Sequence, residues 1–212
     1  MKFIDQKQTI KNITYLMSNK QRFAFVGYSR SSLMALSGQM PEDKKPGKQF
    51  SKYLLNSLEI KDPNYMRAVH YGMISQNSDI NLAAIPAMSN GLFYDAGTFE
   101  SYFTKKRDVF DSFIEYYLKY SSTLVVSFHD KKLIQKTMGQ PTYYIKVPYN
   151  DFYERVDDIM SEIKEFDSAV DYCILDCPML SSALSSQIWS KTSMSILDLG
   201  KVFTSSLFKQ HA

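Results

Sequence analysis

Residues 171–203, DYCILDCPMLSSALSSQIWSKTSMSILDLGKVF, read as strand, serine-rich turn, helix, strand, and then Asp198-Leu-Gly200 at a strand exit. Residues 172–175 and 193–197 are short apolar runs of strand length, and residues 181–189 between them have the length of a crossover helix. That order sets a helix N-terminus and an acidic strand end side by side at one edge of a parallel sheet, where α/β proteins bind phosphorylated ligands.

Outward from this stretch the same alternation continues. Residues 123–128 form a continuous apolar run expected of a strand buried on both faces, 130–138 a helix and 142–147 another strand. Residues 151–166 carry Phe152, Val156, Ile159 and Ile163 on one helical stripe, and 201–208 close the chain as a helix. Near the N-terminus, residues 6–18 place Ile10, Ile13, Leu16 and Met17 at helical spacing. Residues 22–27 then run into Tyr28-Ser-Arg-Ser-Ser as strand, tight turn and helix. A loop is expected over 38–49, a helix over 50–58, a turn at 62–65 and a short strand over 68–72. Residues 74–98 are the least regular, with a turn at 77–79 and a helix over 80–88 that Asn90-Gly91 ends. Residues 98–120 then make a long aromatic helix capped by Thr98 or Ser101. The fold class this predicts is α/β, a Rossmann-like, mostly parallel sheet with helices on both faces and right-handed crossovers. One domain is expected across residues 1–212, with a less regular helical and loop region at about 74–120.

Composition narrows the function classes. A hydrophobic content of 44% against 22% charged residues describes a globular protein, not a disordered or fibrous one. The 15 Tyr and 14 Phe are an excess whose default use is core packing, with a stacking surface for sugars or bases as the alternative. A formal charge of +3 is too small to diagnose a nucleic-acid binder, and clusters at Lys44, Lys45 and Lys48, at Lys105 to Arg107, and at Lys131 and Lys132 read as solvated surface. Cys173 and Cys177 have no second Cys or His pair to complete a zinc site and suit a reducing compartment. The N-terminus lacks the apolar run of a signal peptide and no segment is apolar enough to span a bilayer, so a cytoplasmic protein without a membrane partner is expected. Oligomeric state is left open.

Ligands of a doubly wound sheet sit beyond the carboxyl ends of its strands, which selects residues 27–31, 129–130, 148–150, 176–182 and 198–201. Gly27, Tyr28, Ser29, Arg30 and Ser31 offer backbone N–H groups, hydroxyls and a guanidinium suited to a diphosphate; a capped surface helix with a solvated Arg30 is the plain alternative. Pro178, Ser181 and Ser182 form a phosphate-cradle-like turn without glycines, or an ordinary helix cap. Asp198, followed by Gly200 and Lys201, can hold a sugar hydroxyl or accept a proton, although Asp-x-Gly is also common turn chemistry. His129 and Asp130 are a second candidate base pair, with Asp130 alternatively a helix cap. His70 is a weaker candidate, and His211 lies in the tail. A Walker A loop, a Gly-x-Ser-x-Gly elbow and a Gly-x-Gly-x-x-Gly fingerprint are all absent from the sequence.

Taken together these segments resemble the GT-D-type glycosyltransferases, small Rossmann-like sugar-nucleotide enzymes, over most of the chain and best from Thr123 to Leu207. TYYIKVPYNDFYERVDDIMSEI is similar to that family's strand, Pro, Asn and aromatic helix, YCILDCPMLSSALSSQIW stands at its strand, Gly-Pro turn and Leu-rich helix, and SILDLGKVF at its closing Asp-Ile-Gly segment. RFAFVGYSRSSLMAL occupies the place of its Arg-Phe-Gly-Asp-Gly-Glu segment, and PNYMRAVHYG resembles its Pro-Asn and Gly-bearing strand. The departure is at Tyr28-Ser29-Arg30, where the family's metal-holding Asp-x-Glu is expected; Cys177-Pro178 likewise replaces a Gly turn. The resemblance implies transfer of a sugar from a nucleotide sugar, such as a UDP-sugar, to a hydroxyl of a glycan, a protein or a hydroxylated DNA base. Asp198 or the His129–Asp130 pair would take the proton, Arg30, Ser29 and Ser181 would meet the leaving diphosphate, and no cofactor or divalent metal would be required. The competing expectation is an inactive module that binds a nucleotide or a partner on the same fold. Another phosphoryl-handling enzyme is a third.

Overall fold

The computed structural model describes residues 2–74, 79–89 and 91–203. Eight strands lie among them: β1 (Lys2–Ile4), β2 (Ala24–Tyr28), β3 (Tyr65–Val69), β4 (Leu92–Asp95), β5 (Thr123–Ser127), β6 (Tyr143–Lys146), β7 (Tyr172–Asp176) and β8 (Ser195–Asp198). They form one sheet in the order β1-β4-β3-β2-β8-β7-β5-β6, and every pairing is parallel. The helices are α1 (Gln6–Ser18), α2 (Arg30–Leu36), α3 (Lys48–Glu59), the short α4 (Tyr71–Ile74) and α5 (Pro86–Ser89), then α6 (Thr98–Lys105), α7 (Arg107–Phe113), α8 (Lys131–Met138), α9 (Val156–Lys164) and α10 (Leu180–Lys191).

The strands are apolar on both faces because helices cover both. Alternate residues go to opposite layers. Val26, Leu124, Val126, Cys173, Leu175 and Ile196 pack with Leu54 and Leu58 of α3, Ile159 of α9 and Leu184 of α10. Phe25, Val125, Ile174 and Leu197 face the other way, onto Ile13 of α1, Phe99 and Phe103 of α6, Phe113 of α7 and Ile134 of α8. The aromatic excess is spent largely here: Phe23, Phe25, Phe50, Phe93, Phe99, Phe103 and Phe110 are fully buried, and Phe99 meets Phe25 and Phe113 at 5.6 and 5.1 Å between ring centroids. The helix α10 is buried on nearly all sides, and its serines return their hydroxyls to its own turns, as in Ser185 Oγ to Ser181 O at 2.6 Å and Ser186 Oγ to Ala183 O at 3.1 Å.

Several boundaries differ from the sequence reading. The strand expected at 68–72 runs from Tyr65 to Val69, because Asp62 Oδ1 accepts from the Asn64 amide and the turn closes before Tyr65. The edge strand β1 and its neighbour β4 were not expected at all; at three and four residues they are too short to show a period of two. The helix expected over 80–88 is a 3₁₀ turn at Leu82–Ala84 followed by α5. The aromatic helix breaks at Lys106, whose backbone leaves the helical region, and resumes as α7 and a π-helical turn over Ile114–Leu118. Gly97, not Thr98 or Ser101, is its cap residue, and Thr98 Oγ1 donates instead to the Asp95 carbonyl at 2.7 Å. The helix expected from residue 151 starts at Val156, since Asp151 has φ of 60° and turns the chain first. The closing helix is described only as far as Phe203, and residues 77 and 78 of the expected turn, with His211, lie outside the described residues.

Candidate functional site

The chain runs outward from β2 to β3 on one side of the sheet, while β8 and β7 lead to β5 and β6 on the other. The crevice where those directions part is the site such a sheet offers a ligand. A cavity of about 360 Å3 opens there. Its walls come from the β2–α2 turn (Gly27 to Ser31), the β7–α10 turn (Pro178 and Met179), and the exit of β8 (Asp198, Gly200 and Lys201). His70 and Met73 follow β3, Ala96 follows β4, and Phe152 and Tyr153 precede α9.

Asp198 is the last residue of β8, only 7% exposed, and borders the cavity. Gly27 N–H donates to its Oδ2 at 3.2 Å and Gly200 N–H to its Oδ1 at 2.8 Å. Gly200 reaches back because its φ of +64° folds the chain onto the strand end, a conformation glycine adopts without penalty. Gly27 is required for a different reason: a methyl group there would sit 3.1 Å from Asp198 Oδ2. Burial pushes the carboxyl up to about 7, and the two amide donors offset this only in part. A carboxyl that changes protonation near neutral pH, aimed at a cavity, is suited to accept a proton or to hold a hydroxyl.

The turn opposite is built from hydroxyls. Ser29 caps α2 by accepting from the Ser32 amide at 3.1 Å, and Ser32 Oγ lies 3.1 Å from Ser182 Oγ, tying the starts of α2 and α10 together. Tyr28 turns its phenol away from the cavity, to Ser57 at 2.7 Å, and Ser57 passes the contact to Tyr65 at 2.6 Å. Arg30 borders the cavity but its guanidinium forms a two-point ion pair with Asp79, Nη1 to Oδ1 at 2.7 Å and Nη2 to Oδ2. Met179, at the start of α10, has φ of 67° and ψ of −47°, a sparsely populated conformation for a residue with a side chain.

Four of the sequence candidates are not brought to the cavity. Ser181 and Ser182 are fully buried: Ser181 Oγ donates to the Cys177 carbonyl at 3.0 Å and accepts from its amide at 3.2 Å, and Ser182 Oγ donates to the Met179 carbonyl at 3.0 Å. These hydroxyls hold the turn and have no surface left for a ligand. His129 and Asp130 sit beyond β5, where Asp130 pairs with Lys146 at 2.6 Å and is held below the usual carboxylate range by it. Burial, and then Lys146, push His129 down, which works against an ion pair with Asp176 3.8 Å away. Asp176 is buried against Ser127 Oγ at 2.6 Å, and burial drives its carboxyl well above the ordinary range.

His70, a weak candidate in the sequence, does border the cavity, and Met73, Ala96, Phe152, Tyr153 and Met179 join it without having been singled out. The aromatic pair carried a usable signal: Phe152 and Tyr153 follow the Pro148-Tyr-Asn strand exit after a single residue, Asp151. Their centroids are 4.1 Å apart, Phe50 supports Tyr153 at 4.9 Å and Phe128 supports Phe152 at 5.5 Å. The result is a firm aromatic wall.

The donor set does not fit a divalent cation. Hard cations need several converging oxygens, whereas the β2–α2 turn presents a phenol spent on Ser57 and a guanidinium, and among the described residues that line the cavity Asp198 is the one carboxylate. Among the described residues, no group of three or more His, Cys, Asp or Glu is placed to hold a metal ion. A second cavity of about 470 Å3 lies at the amino-terminal end of β5, lined by Asp111, Glu115 and Lys119 among others. Arg107 pairs with Asp111 and Lys119 with Glu115, and the place is on the wrong edge of the sheet for a strand-end ligand.

Three solved structures share this architecture over the whole chain. One is described as having a distinct glycosyltransferase fold, in the highly conserved domain of unknown function 1792; it superposes with a TM-score of 0.68 at 12% identity and the match covers 82% of its length. A second, described as a new glycosyltransferase of that domain from Streptococcus sanguinis, gives 0.69 at 10% identity over 85% of its length. A selenomethionine form of domain 1792 gives 0.70 at 10% identity over 82%. The chain has the GT-D glycosyltransferase fold. No protein-family model matches the sequence, and no curated protein matches it significantly. The GT-D fold therefore rests on the eight-stranded parallel architecture and not on sequence identity. Among the described residues of this GT-D fold, no helix is long and apolar enough to cross a membrane.

Proposed function

We propose that this chain is a glycosyltransferase that moves a sugar from a nucleotide sugar to an acceptor hydroxyl in the cavity between Arg30 and Asp198. The observation that carries the reading is the buried Asp198 carboxyl, pushed up to about 7, facing a strand-end cavity that Arg30 and Lys201 also border. In this reading the acceptor oxygen attacks the anomeric carbon, the bond from that carbon to the diphosphate oxygen breaks, and the acceptor's proton passes to the Asp198 carboxylate. The nucleoside diphosphate leaves with its negative charge met by Arg30 and Lys201 in place of a metal ion. The base stacks against Phe152 and Tyr153, and a UDP-sugar is the first donor to try.

None of the three Lys and Arg clusters lines the cavity, which favours a glycan or protein hydroxyl over a DNA base as acceptor. Cys173 and Cys177 are free and buried, in keeping with a cytoplasmic enzyme. A thermal-shift panel of nucleotide sugars, each with and without a chelator, tests the proposal. One donor at about a hundred times its dissociation constant should raise Tm by roughly 5–10 °C regardless of chelator, and should release nucleoside diphosphate when an acceptor is supplied. Stabilisation without release in any acceptor mixture is the outcome of the second reading, a nucleotide-binding module, which the engagement of Arg30 by Asp79 favours. No stabilisation by any nucleotide sugar would remove both.

A further inference from the structure

Among the described residues, Arg30 is the one guanidinium that borders the cavity, and it is already engaged. Its two terminal nitrogens address the two oxygens of Asp79 in parallel, which is the geometry in which an arginine takes two oxygens of a phosphate group. The fork cannot serve both at once. Asp79 is also placed independently of the ion pair. Gln39, just beyond α2, donates from Nε2 to the Asp79 carbonyl at 3.0 Å, and its Oε1 accepts from the Asn81 amide at 2.6 Å and from Ser37 Oγ at 2.8 Å. Asp79 is thus anchored to the end of the same helix whose first residue is Arg30. Both side chains remain accessible to water, at 52% and 65% exposure, so the pair is screened and weak enough for a ligand to displace.

We infer that Asp79 is an intramolecular stand-in for the donor's diphosphate, holding Arg30 in the empty site and yielding it when a nucleoside diphosphate enters. The inference rests on the glycosyltransferase reading of the cavity and adds to it a built-in competitor. The carboxylate neutralises the guanidinium in the empty protein and keeps it oriented beside the cavity. It also sets a threshold, since a single weakly held anion gains less than a diphosphate that takes both nitrogens.

Calorimetric titration of uridine diphosphate and of inorganic pyrophosphate into the wild type, Asp79→Asn, Arg30→Gln and the double variant tests it. Asp79→Asn keeps the size of the side chain and removes the charge, and should tighten diphosphate binding by about two- to fivefold, the range expected from releasing an exposed ion pair. Arg30→Gln should weaken binding by tenfold or more, and in that background Asp79→Asn should change nothing. Equal tightening with and without Arg30 would mean that Asp79 acts as a diffuse negative charge, and would overturn the inference. Unchanged or weaker binding in Asp79→Asn, with Arg30→Gln still impaired, would overturn it while leaving the proposed function standing. Folded wild type and Asp79→Asn that both fail to bind either probe would remove the inference together with the reading on which it rests.

Discussion

A carboxyl group that gives up most of its contact with water keeps its proton to higher pH, and Asp198 does so while accepting two amide hydrogen bonds. The proposed reaction uses it as a base, which requires the ionised form, so turnover should rise as pH passes through about 7 and then level off. Asp198→Asn should lower kcat by about a hundredfold or more and abolish that rise, read from kcat/KM between pH 5 and 9. The same group affects stability with a definite sign. Between an unfolded value of about 3.9 and the folded value of about 7, the folded chain binds a proton that the unfolded chain has lost. Its contribution is therefore complete below about pH 4 and lost as pH rises through 7, and Asp176, also raised by burial, acts in the same direction. Urea titrations from pH 4 to 8 should show stability falling with pH, and falling less in Asp198→Asn. Gly27 sets the carboxyl's position from the neighbouring strand. Gly27→Ala should displace it by a few tenths of an ångström and cost about tenfold in kcat with little change in Tm, because the crowding is against one side-chain oxygen 3.1 Å away.

At the scale of elements, the β7–α10 turn shows how a sequence of donors becomes structure before it becomes function. Ser181 and Ser182 have the residue type a phosphate cradle requires, yet their hydroxyls close the Cys177–Met179 turn and bind Ser32. Local pattern cannot tell a hydroxyl facing a ligand from one facing its own helix, since both follow a strand and start a helix. His129 and Asp130 fail for another reason: they do follow a strand, but β5 lies two places away from β8, and strand order is not written in the local pattern. His129→Ala is accordingly expected to leave kcat/KM within about twofold of the wild type, a value turnover assays resolve; a hundredfold loss would return the proton-accepting role to that residue. The elements that were legible are those whose apolar period is long and clean. The helix α1 has the expected bounds, and β5, β7 and α10 differ by a residue or two. Because α10 is buried on nearly every side, Ala183→Leu should cost about 1–3 kcal/mol in urea unfolding by overpacking against its neighbours.

At the scale of the molecule, the parallel order of all strands brings every carboxyl end to one edge, and the central pair β2 and β8 places Gly27 and Asp198 in contact across that edge. Residues 27 and 198 are far apart in the chain, so their meeting depends on β8 returning to the centre after β5, β6 and β7 have been laid down outside it. The sheet thereby assembles the cavity from six separate strand exits, and a ligand bound there would join the two halves of the sheet. In the proposed function this crevice, and not the cavity at the amino end of β5, receives a sugar nucleotide. A crystal structure with the nucleotide sugar that gives the largest thermal shift tests it most directly. The diphosphate should lie beside Arg30 and Lys201, with the sugar against Asp198 and with Asp79 released from the Arg30 guanidinium; density for the nucleotide at the other cavity, or on the outer surface with Asp198 untouched, would contradict the proposed function.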